Sequence, residues 1–137
     1  MMASSVEDWI AIRELTARYN RALDDGRADD WVDTFLDSGG LYVAGTDDCW
    51  VGKRELVTFA TSKPWGSMHL TVDAEINVDC DVAGQVCSLV MVRRSPDRTA
   101  PMLMTTGRYD DVLRRTPEGW RFDRRVVSLD ASITSGN

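Results

Sequence analysis

Histidine is almost missing from this sequence: His69 is the one imidazole in 137 residues. Sites that need two or more histidines are therefore excluded. Cysteine is scarce as well, and Cys49, Cys80 and Cys87 are odd in number, irregularly spaced and without a C-x-x-C pair. That argues against a disulfide scaffold and against zinc held by thiolates and imidazoles, so no metal is expected. The longest mostly apolar run, Val86 to Val92, contains Ser88 and falls far short of the roughly 20 residues that span a bilayer. Met1 to Asp8 show neither a basic start nor the apolar stretch of a secretory signal, and a cytoplasmic location is expected. A cationic excess is missing too. Sixteen Lys and Arg against 22 Asp and Glu leave a net charge of −6, which gives no footprint for nucleic acid. Gly39-Gly40 and Gly45 make neither a dinucleotide fingerprint nor a phosphate loop, and no cofactor is expected. The acidic pairs Asp29-Asp30 and Asp47-Asp48 lack the ligand spacing of a calcium loop.

What is present suffices for a core: 43% of residues are hydrophobic and five are Trp. A chain this long makes one domain by the usual size of about 100–200 residues, here 1–137, with a core over about 6–129 and a frayed tail over 131–137. Helical spacing is clearest from Val6 to Leu23, with Ser5 as N-cap, Glu7 and Asp8 in the first turn and Gly26 past the end. Trp9, Ile12, Leu15, Tyr19, Ala22 and Leu23 form one apolar stripe, and Val6, Ile10 and Ala17 a second beside it. Arg13, Asn20 and Asp24 fall between the stripes as partly buried polar groups that need partners. A second helix is predicted over Ala28–Asp37, with Trp31 and Phe35 at i, i+4, and a third over Lys53–Thr61. Leu41–Ala44 and Cys49–Val51 flank a turn-rich segment and suit a small hairpin.

After Ser67 the period changes from 3.6 to 2. Met68, Leu70, Val72, Ala74, Ile76 and Val78 alternate with polar residues, which predicts a half-buried strand with His69 on the less apolar parity. Three more strands follow, over Val82–Arg94, Met102–Arg114 and Trp120–Leu129, joined by the turns at Asp79-Cys80-Asp81 and Thr116–Gly119 and by the Ser95–Pro101 loop. Val86–Val92 is apolar at both parities, and a partner subunit is one way to cover its second face. The fold class read from this order is α+β: three N-terminal helices packed on a curved antiparallel sheet that forms a cone-shaped pocket.

Taken singly, the candidate residues are unremarkable. His69 reads as a hydrogen-bonded strand histidine, Asp24-Asp25-Gly26 as a turn and Tyr19 as core. Their order along the chain carries more. Ile12-x-x-Leu15-x-x-Arg18-Tyr19-x-x-Ala22-Leu23-Asp24, then Trp31 with Phe35, Gly52-Lys53-Arg54-Glu55-Leu56, His69-Leu70-x-x-Asp73 and Gly119-Trp120-Arg121-Phe122 together resemble the SnoaL-like branch of the nuclear transport factor 2-like superfamily. The resemblance runs from about Val6 to Val127. That branch includes scytalone dehydratase, bile-acid dehydratase, a dehydrochlorinase and polyketide cyclases, as well as members without known activity.

The resemblance implies a small-molecule site in which the helix carboxylate maps onto Asp24, the strand base onto His69 and a hydroxyl donor onto Tyr19. It implies substrate contacts from Asn20, Trp31, Phe35 and a basic residue of the last strand. Alternation with Trp120 and Phe122 favours Arg124 for that role, and a count from the histidine favours Arg125. Asp73 stands where many relatives carry Asn and bears on substrate class. The chemistry fits independently: an imidazole with one nitrogen held by a carboxylate is fixed in one tautomer, and its cation is stabilised after it takes a proton. The implied activity is a cofactor-independent, dehydratase-like lyase acting on a small apolar or cyclic molecule. The alternatives are an isomerase or cyclase using the same base, and a non-catalytic binding or dimerisation domain. A homodimer or homotrimer through the sheet is the expected assembly.

Overall fold

The computed structural model describes residues 5–62, 66–95, 97 and 100–131. The expected tail past Ala131, the centre of the loop before the first long strand and part of the 95–101 loop lie outside them.

Helix α1 spans Val6–Asp24. Ser5 accepts the Asp8 N–H on its hydroxyl at 3.1 Å, Glu7 and Asp8 complement the positive end of the helix, and Gly26 takes the left-handed turn at φ 74° that ends it. Ile12, Leu15, Tyr19, Ala22 and Leu23 are buried as the main stripe requires, whereas Trp9, Val6 and Ile10 are exposed. The second stripe is therefore not a core face.

Helix α2 is shorter than expected, Ala28–Val32. The Thr34 hydroxyl donates to the Trp31 carbonyl at 2.6 Å, and the Thr34 carbonyl accepts the Phe122 N–H at 2.8 Å. This capture by a neighbouring strand turns the chain extended, so Phe35–Val43 is strand β1 rather than the end of a helix. Strand β2 is Cys49–Val51 and helix α3 is Lys53–Ser62. Strands β3 (Ser67–Asp79), β4 (Val82–Arg93), β5 (Met102–Thr116) and β6 (Gly119–Leu129) fall close to their predicted spans.

The six strands are ordered β2-β1-β6-β5-β4-β3 in one curved, unclosed sheet. All neighbours are antiparallel except β1 and β6, which run parallel. The expectation of a wholly antiparallel sheet is corrected at that pair. The chain between them includes β2, α3 and the three-strand meander, a connection long enough for parallel pairing. Gly39 sits where β1 meets β6, and a Cβ there would stand 2.7 Å from the Phe122 carbonyl oxygen, so glycine is required by close approach.

Bulges shape the sheet and decide which side chains face the helices. In β3, Asp73 and Ala74 both fall opposite Cys87, and Asp73 adopts φ 56°. Before that point His69 and Thr71 face inward and Leu70 and Val72 outward; after it Ala74, Ile76 and Val78 face inward. In β6 the extra residue is Asp123, between Phe122 paired with Leu113 and Arg124 paired with Val112.

Between helices and sheet lies an aromatic core in which Tyr19 is central. Its ring centroid is 5.4 Å from Trp31, 5.9 Å from Phe35, 5.6 Å from Phe122 and 6.0 Å from Tyr109. These spacings are those of tilted and edge-to-face aromatic pairs.

Candidate active site

Asp24 is the last residue of α1 and His69 the third of β3, and packing of the helix end on the sheet edge brings them together. The Oδ1 atom of Asp24 lies 2.6 Å from His69 Nδ1, and Oδ2 accepts the His69 main-chain N–H at 2.9 Å. Both side chains are more than nine-tenths buried. A carboxylate can only accept, so Nδ1 is the donor in this bond, and in the neutral imidazole that leaves Nε2 as the acceptor nitrogen. Among the described residues nothing hydrogen-bonds to Nε2.

The dyad borders a cavity of about 290 Å³ between α1 and the β3–β4 edge, roughly twice the volume of about 150 Å³ that holds a benzene ring. The helix contributes Arg13, Thr16, Ala17, Asn20, Arg21 and Asp24, one ridge at helical spacing. This is the sector between the two apolar stripes, so the polar residues there face a cavity, not a core. From the sheet come Met68, His69, Thr71, Ala74, Gln85, Cys87 and, just past β4, Arg94.

Asn20 is buried and donates from Nδ2 to the Thr71 hydroxyl at 3.1 Å, while its Oδ1 has no partner. Gln85 on the opposite wall donates from Nε2 to the Thr16 hydroxyl and to Asp111 Oδ2, each at 3.1 Å, and its Oε1 is likewise unpartnered. Buried amide oxygens of this kind are costly unless something donates to them.

Gln85 links the cavity to a buried ion pair beneath it. Arg125 and Asp111 are both fully buried with Nε and Oδ1 3.0 Å apart, a charge contact off the N–H direction because neither atom completes a hydrogen bond with the other. The guanidinium carbon of Arg125 lies 3.5, 4.3 and 4.5 Å from the ring centroids of Tyr109, Tyr19 and Phe122. Burial pushes the Asp111 carboxyl up despite the neighbouring cation, and burial likewise raises the Tyr19, Tyr109 and Cys87 groups. Burial is the largest single influence on Arg125 and opposes its charge, but Asp111 together with Tyr109, Tyr19 and Cys87 outweighs it, and the guanidinium is held above its ordinary value.

Of the residues predicted for a site, His69, Asp24 and Asn20 meet at the cavity. The others do not. Tyr19 is 1% exposed in the aromatic core, Trp31 and Phe35 pack beside it, and Asp73 is exposed at the β3 bulge. Arg125 points inward but lies below the cavity; Arg124 is exposed on the outer face, its guanidinium 4.0 Å from the Tyr42 ring centroid. Simple alternation failed for this pair because the Asp123 bulge reverses parity between Phe122 and Arg125. Sequence reasoning did not single out Thr71, Gln85, Cys87, Arg21 or Arg94 as lining residues. Thr71 was legible as the same-face neighbour of His69, while the doubly apolar β4 run hid which parity faced inward. Among the described residues, no group of three or more His, Cys, Asp and Glu is placed to hold a metal ion, and no helix is long and apolar enough to cross a membrane.

A family model described as the SnoaL-like domain matches residues 4–126. The chain belongs to the SnoaL-like family. Solved structures agree on the nuclear transport factor 2-like, cystatin-like fold of this SnoaL-like domain. One is such a protein from Novosphingobium aromaticivorans, 27% identical, with 95% of this chain and 87% of that chain covered at a TM-score of 0.83. A scytalone dehydratase-like protein from the same organism is 16% identical over 92% of this chain and 86% of its own, with a TM-score of 0.79. A protein from Catenulispora acidiphila, in complex with S-DNPA, is 20% identical over 92% of this chain and 96% of its own, also at 0.79. No curated protein matches the chain.

Proposed function

We propose that this SnoaL-like domain is a dehydratase-like lyase acting on a small, cyclic hydroxy-carbonyl compound, with His69 as base and Asp24 as the residue that orients it. The observation that carries the reading is the doubly held histidine: Asp24 takes both its Nδ1 and its main-chain N–H, nothing among the described residues bonds to Nε2, and His69 lines the cavity. Family membership, with a dehydratase-like relative among the matching folds, agrees with it. Fold alone would not decide the chemistry.

In the proposed reaction Nε2 takes the proton from the carbon next to the substrate carbonyl. The C–H electron pair becomes the new C=C bond as the C–O bond to the β-hydroxyl breaks. The imidazolium then gives that proton to the departing hydroxide, so water leaves and neutral His69 is restored. Asp24 stabilises the transient imidazolium and stays ionised throughout. General base catalysis of this type contributes about 10²–10⁴-fold.

Leu70, Val72 and Leu103 are exposed on the outer face of the sheet, and a homodimer through that face is the assembly we propose. The function is tested by screening cyclic β-hydroxy ketones for loss of water, followed by absorbance of the conjugated product, with wild type and His69→Ala. Turnover by the wild type that His69→Ala abolishes is the expected result. Equal turnover by both proteins would remove His69 from the mechanism.

A further inference from the structure

The cavity carries an unusual charge pattern for a chain with a net charge of −6. Arg21 sits one helical turn before Asp24, and Arg94 follows β4 at the same end, its N–H bonded to the Gly66 carbonyl at 2.7 Å, three residues before His69. Neither arginine makes an ion pair among the described residues. The carboxylates at this end are already engaged: Asp24 by His69, and Asp25 by Arg27 at 3.6 Å. Arg21 and Arg94, both exposed, thus border the cavity beside the dyad from two different elements, and among the described residues neither is in an ion pair.

From this arrangement we infer that the cavity takes a small organic anion, with its carboxylate or phosphate held by Arg21 and Arg94 beside the dyad. The inference rests on the proposed site and narrows its substrate class. A planar guanidinium pairs with carboxylate or phosphate through charge-assisted hydrogen bonds, the stronger kind. A volume of about 290 Å³ admits a two-ring molecule. Arg13 also borders the cavity, eight residues and so about 12 Å along the helix from Arg21, too far to share the same anionic group.

The test is calorimetric binding of 6-hydroxy-2-naphthoate, 6-hydroxy-2-naphthyl phosphate and the neutral 6-hydroxy-2-naphthamide to wild type, Arg21→Gln, Arg94→Gln, the double variant and the control Arg108→Gln. At least one anionic probe is expected to bind about tenfold or more tightly than the amide, and the preference should shrink as salt is raised. Each single Arg variant should lose part of the preference and the double variant all of it, while Arg108→Gln, at an exposed residue outside the cavity lining, should keep it. Which anion binds better identifies the group. Equal binding of the anions and the amide, or a preference that survives in the double variant, would overturn the inference without touching the elimination chemistry. Conversely, an arginine-dependent preference together with no dehydration in the screen would leave the anion site standing and remove the lyase.

Discussion

Asp24 grips a single residue twice, one carboxylate oxygen on the main-chain N–H of His69 at 2.9 Å and the other on its ring nitrogen at 2.6 Å. The first bond ties the end of α1 to β3; the second sets the tautomer. Replacing Asp24 with Asn separates these jobs, because the amide oxygen can still accept one N–H but cannot carry the charge that stabilises an imidazolium. We expect Asp24→Asn to fold and to lose kcat by about 10²–10⁴ with a smaller change in KM. The measurement is steady-state kinetics on a substrate found in the dehydration screen. Proton and nitrogen NMR adds a readout independent of turnover: His69 is the only histidine, so its ring resonances need no assignment, and the downfield Nδ1 proton should vanish in the variant.

The ion pair of Arg125 and Asp111 predicts a different behaviour. Both side chains are fully buried, and removing one leaves the other charged in an apolar interior. Arg125→Met should therefore destabilise by about 3–5 kcal/mol, and pairing it with Asp111→Leu should recover much of the loss. Arg124→Ala, which removes an exposed cation over Tyr42, should cost about 1 kcal/mol or less. Urea denaturation of the four proteins checks the order, and equal costs for Arg124 and Arg125 would contradict the inward placement of the latter.

Much of this fold was legible because periodicity is a local property. The long helix, the four long strands and their turns all follow from spacing and caps, and so does the sector of α1 in which Asn20 and Asp24 find partners in Thr71 and His69, although Arg13, expected beside them as partly buried, is exposed. What was not legible depends on events between strands. The alternation in β3 placed His69 on the wrong side of a simple strand, since Leu70 and Val72 outweigh it in hydrophobicity; only the bulge at Asp73 lets His69 face inward while Ile76 does too. The same kind of event at Asp123 decided between Arg124 and Arg125. The helical reading of Phe35 and Leu36 failed because Trp31 and Phe35 are buried in either conformation, and hydrogen bonds to β6 made the strand the better use of the backbone.

The β3 bulge itself can be tested. Asp73 holds φ 56°, a region that Asp visits at modest cost and β-branched residues avoid. Asp73→Val should destabilise by about 1–3 kcal/mol, whereas Asp73→Gly should be neutral or stabilising. If the bulge is what aims the imidazole, deleting Asp73 should turn His69 outward and abolish the Nδ1 signal while circular dichroism retains strand content. A retained signal in the deletion would show that α1 alone positions the ring.

Arg115 gathers the open end of the sheet by reaching Asp8 at 2.7 Å, Asp81 at 3.1 Å and the Cys80 carbonyl at 3.0 Å while stacking on Trp120. The Trp120 indole N–H also donates to Asp8 at 3.1 Å. The Arg115 hydrogen bond holds the Asp8 carboxyl down at about 2, against an ordinary value of 3.8. A carboxylate depressed in the folded state adds stability that is fully present above the unfolded value and disappears as the pH falls through the folded one. That places the loss between about pH 5 and pH 2, and solvent screening at the 40%-exposed Arg115 keeps its size to about 1 kcal/mol or less. Asp8→Asn should remove this part of the acid dependence, so the difference in stability between wild type and variant should narrow steadily over that window. Denaturation midpoints measured at several pH values test it, and a constant difference down to pH 2 would show that Asp8 contributes by packing and hydrogen bonding rather than by charge.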